Sequence, residues 1–457
     1  MTLGSCSANV QVLRCFCMSS ARNSWLAVVL SLSCLAAMWL FTDRFFTRRI
    51  APQYEIPGRG YPSDLLPPWV ATQHLLHGNN PYGSEATGEI QRRYYGPGVG
   101  VGNTSSDQQR FAYPVYTTLL LLPFQQLEFH AVANAARVLL PLLIAGAVLL
   151  WTRLFRIASR AETAATVFFA LASWPVAQGE ALQQLGLLAF FFIVCSVYFA
   201  ASRAYIVAGI ILALATMKPQ AVLPLFGWFA VWSVADIRAR WKLPFSFVVA
   251  TLLLVVIGEW QSPGWIVEWA GTVGAYRSYA ATGSLLEGLF GIVGLLVDLI
   301  IVIWAGLAMW KRRAVSSDSP DFLRIAAMAM AVGLLVSPVW VSHNQVMLLP
   351  AAIVIWFERK CLMRSVEGIW LFFAALALQC STWIYAGLVL LSVLPPPTGR
   401  LIGLYPATIS LPLLAAALIG LLVRKQSIDS EAQFPKYSDT ASGRRSKVPR
   451  PIPARSQ

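Results

Sequence analysis

The chain alternates long apolar runs with short polar connections. The runs lie at about 25–42, 127–152, 161–175, 185–201, 203–217, 220–235, 244–260, 286–310, 322–338, 344–358, 367–393 and 403–423. About 20 apolar residues in a helix cross roughly 30 Å of hydrocarbon. The pattern therefore predicts an all-α polytopic membrane protein of about 12 transmembrane helices, with the runs at 161–175, 203–217 and 344–358 short of a full crossing. One connection is far longer than the rest, a first loop over about 43–126. It carries Arg44, Arg48 and Arg49, then Tyr61-Pro62-Ser63-Asp64 leading into a short amphipathic segment that ends Gly78-Asn79-Asn80-Pro81-Tyr82. A Gly-rich stretch follows (Gly96, Gly98, Gly100, Gly102), then an apolar run from Val115 to Phe124. That last run, with Pro123 near its end, suits a re-entrant or interfacial segment. Irregular backbone is tolerated at membrane depth only where it lines a cavity or is buried in protein. The loop is thus expected to hold short interfacial helices and to fold back over a cavity.

Composition excludes a soluble fold. Of 457 residues, 57% are hydrophobic and 12% charged, with a mean hydropathy of +0.61. A soluble surface needs far more charge. One integral-membrane domain over 25–423 is the economical reading, after a cytoplasmic N-terminal segment (1–24) and before a polar tail (424–457). No small-residue cleavage site follows the first apolar run, which reads as a retained helix rather than a signal peptide. The formal net charge is +14. With the N-terminus in the cytoplasm, Arg153/Arg156/Arg160, Arg203, Arg238/Arg240/Lys242, Lys311/Arg312/Arg313 and Arg359/Lys360/Arg364 all fall inside. This positive-inside bias predicts an even helix count, both termini cytoplasmic, and a multi-pass cell-membrane protein. The tail, with Pro449, Pro451 and Pro453 among arginines, is expected to be disordered and drawn to anionic membrane lipids, not to nucleic acid. Seven scattered cysteines suggest no disulfide framework. His74 and His77 lack a third ligand nearby, so neither a metal nor a cofactor is expected.

The same topology collects candidate chemistry on the outer side: Asp64, Glu180, the Lys218-Pro219-Gln220 turn and His343-Asn344. Each has a structural reading beside the functional one. Ser63 and Asp64 precede Leu65-Leu66 and fit a helix cap, or Asp64 is a catalytic carboxylate. Lys218 is a snorkelling lysine, or a cation held at headgroup level for a phosphate. His343 stands at a tight turn as an interfacial histidine or as a catalytic partner. Asp298 is the one mid-helix carboxylate, buried for structure or lining a transport path.

The ordered set Asp64, Trp69, Leu75-Leu76, Gly78, Asn80-Pro81-Tyr82, then Tyr113-Pro114, Leu122-Pro123, Lys218-Pro219-Gln220, Ser337-Pro338, His343 and Leu348-Leu349-Pro350 resembles glycosyltransferase family 87. Asn344 stands where the family often has a second histidine, the tryptophan comes a residue early at Trp340, and Gln183-Gln184 stands in place of a Gly-Gln pair. The resemblance implies a C-type glycosyltransferase fold like that of polyprenyl-phosphate-mannose-dependent mannosyltransferases. It implies a cell-envelope enzyme moving a hexose, mannose first among candidates, from a polyprenyl-phosphate sugar donor to a lipid or glycan acceptor, with inversion. Asp64 would be the general base. Lys218, His343 and Arg137 would bind the donor phosphate, Arg137 because a buried arginine near a helix end needs an anion. Tyr113, Asn344 and Gln220 are possible substrate-binding residues. The rival from another class is a 12-helix transporter of solutes or lipid-linked sugars. It would show two related halves and more ionisable groups deep in its helices. A catalytically dead scaffold could dispense with Asp64.

Overall fold

A computed structural model describes residues 21–45, 63–95, 109–157, 159–279, 283–338, 341–391 and 405–433. Arg48, Arg49, Tyr61, the Gly-rich stretch, Trp340 and the proline- and arginine-rich end of the tail lie outside these. The described residues form helices and turns, with no strand among them. In chain order the helices are α1 (Ala21–Phe45), α2 (Leu66–Leu76), α3 (Ser84–Tyr95), α4 (Phe129–Leu154), α5 (Arg160–Leu171), α6 (Trp174–Ala181), α7 (Leu185–Ala201), α8 (Tyr205–Leu214) and α9 (Pro219–Val234). They continue as α10 (Lys242–Gln261), α11 (Trp265–Tyr279), α12 (Leu285–Phe290), α13 (Ile292–Lys311), α14 (Pro320–Leu335), α15 (Leu349–Phe357), α16 (Val366–Leu390) and α17 (Tyr405–Gln433). Short 3-10 segments occur at Val115–Leu120, Leu122–Phe124, Ala215–Met217 and Ser342–Leu348.

A helix coincides with every apolar run read from the sequence. By length and composition, four stretches are sufficient to cross a membrane: Trp25–Asp43, Phe129–Leu154, Ile237–Gln261 and Ile292–Lys311. Several shorter apolar helices accompany them. Two expected runs are divided between α-helices, and the run at 344–358 is a 3-10 segment as far as Leu348 before α15 begins. The run at 161–175 breaks between α5 and α6, where Ser173 is extended and a new helix starts at Trp174 with Pro175 in its first turn. The run at 286–310 breaks at Gly291, whose φ of 58° lies in the left-handed region that glycine reaches without cost.

The apolar surface faces outward as in a membrane protein. On α13 Ile292, Leu296, Ile300, Ile303 and Leu307 are exposed, and on α10 Leu252, Leu253 and Val256. α14 is the opposite case, for every residue from Phe322 to Leu335 is buried. A helix apolar on all sides belongs inside a bundle, and α14 packs against α9, α13, α15 and α17. Small residues allow this close approach. A side chain at Gly333 would stand 2.1 Å from Cγ of Pro224 on α9, so only glycine fits. At the other end Phe322 of α14 packs against Trp228, Phe229 and Trp232 of α9. The two helices are therefore antiparallel.

The N-terminal end of α14 carries a closed ionic network. Arg324 binds both Glu358 oxygens through Nε at 2.9 Å and Asp321 at 2.6 Å. Arg312 reaches Asp321 at 3.0 Å and the carbonyl of Val423 at 2.7 Å. Arg240 stacks on Trp232 and donates to the carbonyls of Trp232 and Arg313.

The described part of the first loop forms a second hydrophobic cluster. Leu65, Trp69, Tyr82, Ile90, Tyr94, Phe111 and Val115 pack together and onto Leu185, Ala189 and Met217 of the bundle. The run from Val115 to Phe124 is two 3-10 segments, with Val115 to Thr118 buried. Tyr116 donates to Thr216, at 3.1 Å to the carbonyl and 3.0 Å to Oγ1. The first of these segments is thus buried in protein, as irregular backbone at membrane depth must be, whereas Leu122–Phe124 has no buried residue.

Candidate functional site

The site forms at the C-terminal end of α14. Three breaks in helical structure meet there. The first lies between α6 and α7. Gln183 takes a φ of 47°, unusual for a side chain with a Cβ, and its own amide steadies the turn by donating to the carbonyls of Ala181 (2.9 Å) and Glu180 (3.3 Å). This is where the family resemblance expects a glycine, and the left-handed backbone is the physical reason for one. The turn leaves Gln184 buried at the entry to α7.

The second break is at Lys218. Pro219 opens α9 and keeps the preceding residue out of the helical region, so Lys218 sits at φ −123°, ψ 78° between the 3-10 turn Ala215–Met217 and α9. Its side chain is buried. Nζ donates to Oε1 of Gln184 at 3.0 Å. Burial pushes the Lys218 ammonium down to about 8, while the nearby Asp64 draws it back up. Gly186 makes room for it, because a Cβ there would lie 3.0 Å from Nζ and 3.6 Å from Oδ1 of Asn344.

The third break is the 3-10 segment Ser342–Leu348, which packs against α6. The Ser342 hydroxyl donates to Oε1 of Gln178, and His343 is buried within the electrostatic reach of Lys218.

Asp64 enters from the loop. Its backbone N–H donates to the carbonyl of Leu182 at 2.9 Å, pinning the loop to the turn that carries Gln184. Its carboxylate accepts from Nε2 of Gln184 at Oδ2, and the Tyr94 hydroxyl makes a long contact of 3.5 Å at Oδ1. α2 begins beyond Asp64, at Leu66, and its N-cap Leu65 has no side-chain cap bond. Ser63 Oγ accepts from the N–H of Leu65. Neither Ser63 nor Asp64 therefore caps α2, and the Asp64 carboxylate meets Gln184 instead.

A cavity opens beside these groups. Lys218, Gln220, Ser337 and Asn344 give its polar side, and Ala221, Pro224, Met330, Gly333, Leu334 and Met347 its apolar walls. Lys218, His343, Asn344, Gln220 and Asp64 are therefore brought together. Tyr113 lies in the loop cluster, where its carbonyl accepts from the Tyr82 hydroxyl at 2.8 Å and its ring packs near Phe111. Arg137 on α4 is half-buried and acts on Glu180. Burial raises Glu180 to about 7, Arg137 opposes the rise and Asp43 adds to it, so Arg137 has an anionic neighbour within the chain. His74 pairs with Glu89 at 2.8 Å, and Glu89 with Arg93 at 2.6 Å. Asp298 is buried and accepts from the Ser284 hydroxyl.

Nothing in the sequence alone assigns a role to Gln184, Gly186 or Tyr94. The polar pair just before an apolar run was the visible signal for Gln184. Its contact with a residue 120 positions away was not visible.

Described residues that are helical throughout, with helices that expose apolar side chains, and with a carboxylate, an amide, an ammonium and an imidazole gathered at one end of the bundle, have the makings of a membrane-embedded transferase. Residues 111–338 match glycosyltransferase family 87, and the chain belongs to that family. It is a membrane glycosyltransferase, which uses a sugar donor and an acceptor. The matched stretch contains Tyr113, Arg137, Gln184, Lys218 and Gln220, while Asp64 and His343 lie on either side of it. No curated protein matches the chain.

Proposed function

We propose that the protein transfers a hexose, mannose by its family resemblance, from a polyprenyl-phosphate sugar to a lipid or glycan acceptor, with inversion and on the extracytoplasmic side. In this reading the chain crosses the cell membrane about 12 times with both termini in the cytoplasm. The observation that carries the proposal is the cavity in which Lys218, the cationic group among its described lining residues, sits among polar side chains while the remaining walls are apolar. A lipid phosphate has that character, an anion joined to hydrocarbon. Asp64 is linked to the same ammonium through Gln184, so a base stands next to the place where the leaving group would lie.

The acceptor hydroxyl attacks the anomeric carbon, its proton passes to Asp64, and the bond from that carbon to the phosphate oxygen breaks. Polyprenyl phosphate leaves with the electron pair. It is already a weak base and needs no general acid, so the protein supplies a base and stabilisation of the growing phosphate charge. Lys218 provides that charge, with His343 beside it and Asn344 and Gln220 at the cavity wall. Arg137, balanced by Glu180, contributes positive potential from α4.

The test is incubation of the purified protein with polyprenyl-phosphate hexoses and a panel of membrane acceptors, reading products by mass. A glycosylated acceptor formed by wild type and absent with Asp64→Asn is the expected result. Transfer at the wild-type rate by a folded Asp64→Asn protein would overturn the base assignment. Solute flux in proteoliposomes without any glycosylated product would overturn the reaction itself.

A further inference from the structure

Gln184 is the only side chain that bonds both to Asp64 and to Lys218 among the described contacts, and it does so with opposite ends of one amide. Nε2 donates to the carboxylate and Oε1 accepts from the ammonium. That polarity is fixed, since an amide nitrogen can only donate and its oxygen can only accept. The surroundings hold the amide in place. Gln184 is buried, the left-handed Gln183 turn sets the direction of its backbone, and the Asp64 N–H binds Leu182 two residues earlier. The bare Cα of Gly186 leaves a seat for Nζ on the far side.

Asp64 is half-buried and already acts electrostatically on the buried Lys218, and without the amide between them the two charges are free to join directly. Direct contact would neutralise both. A cation within about 4–6 Å lowers a carboxylate pKa by roughly 1–3 units and so weakens it as a base. The ammonium would at the same time spend its donors on Asp64 instead of on an incoming anion. We propose that Gln184 is a positioning residue whose side-chain amide, wedged between Asp64 and Lys218, keeps the base and the anion-binding cation from cancelling each other before substrate arrives. The inference rests on the proposed function, in which Asp64 and Lys218 have those two tasks.

The experiment measures the pH dependence of kcat/KM for full-length purified protein with polyprenyl-phosphate mannose. It compares wild type, Gln184→Leu, Gln184→Glu, Lys218→Ala and the double variant Gln184→Leu/Lys218→Ala, with thermal melting to follow folding. Gln184→Leu lets Lys218 meet Asp64, so the acid limb should move to lower pH by about one unit and kcat/KM should fall about tenfold. Gln184→Glu keeps the size but sets a like charge beside Asp64, so the acid limb should move to higher pH. In the Lys218→Ala background there is no cation to collapse, and Gln184→Leu should cause little further loss. A double-mutant cycle reads this difference directly.

Unmoved acid limbs in both Gln184 variants, or an equal loss from Gln184→Leu with and without Lys218, would overturn the proposal. If Gln184→Leu does not fold, an unmoved or lowered limb in Gln184→Glu is sufficient to do so. Asp64→Asn runs alongside. Retained transfer in that variant takes down the base assignment and the spacer with it, whereas lost transfer with unmoved limbs takes down the spacer alone.

Discussion

The two ends of α14 treat buried charge in opposite ways. At the Phe322 end, Arg324 lies against Glu358 and Asp321, and Asp321 also binds Arg312, so opposite charges meet directly. At the Ser337 end, an amide stands between Lys218 and Asp64, and a cavity opens on the ammonium. Direct pairing satisfies ions and ties helices together, and it leaves nothing for a substrate. A charge held through an amide stays available for one. The contrast suggests that the first end serves the fold and the second serves the reaction, and variants at each end can break that division of labour.

Asp64→Asn should have the largest effect. Loss of a general base costs about 10²–10⁴-fold in rate, and the melting temperature should stay near that of wild type. A matching fall in melting temperature would instead make Asp64 a structural residue. Next is Glu358→Gln at the opposite end, which leaves Arg324 with one carboxylate. Breaking a buried pair costs about 3 kcal/mol, read as a lower midpoint in thermal or denaturant unfolding, with kcat/KM per folded molecule unchanged. If transfer fell without loss of stability, the two ends would not be separable.

Lys218→Ala should raise the donor KM about tenfold. It also carries a pH signature. With its pKa pushed down to about 8, Lys218 is charged below that pH and neutral above it. The donor interaction proposed for it should therefore be present at neutral pH and lost as pH rises through about 8, giving an alkaline limb in kcat/KM. Lys218→Ala should abolish that limb, and Lys218→Arg should move it beyond the measurable range. The smallest effect is expected from Gly186→Ala. The added Cβ meets Nζ of Lys218 at 3.0 Å, so the flexible ammonium must shift by a few tenths of an ångström. Donor KM should rise a few-fold at constant melting temperature.

The helices were legible because an apolar run of sufficient length has one stable form in lipid, with its backbone groups bonded internally. Which of them face lipid was not. α14 and α13 are both apolar, yet one is buried throughout and the other lines the exterior, and only the alanines and Gly333 of α14 hinted at close packing. Of the site, Lys218 was legible from its proline, and Asp64 from the motif around it. The role of Gln184 was hidden because it depends on two contacts far apart in sequence. The fate of Asp64 as a cap was hidden because the helix starts later than the Ser-Asp pair suggests, with Leu65 as its N-cap and no side chain capping it. Arg137 shows the reverse: the need for an anion was legible, and Glu180 as its neighbour came only with the fold.

The turn at Lys218 is made by the backbone and by Pro219, with the Lys218 N–H bonded to Ala215 and its carbonyl accepting from Ala221. The side chain has no part in forming it. A lineage could therefore replace the residue at this position, and with it the anion that the proposed function assigns to Lys218, while the turn stays intact. Under that reading the position offers natural selection a route to new donors that leaves the backbone of the turn unchanged.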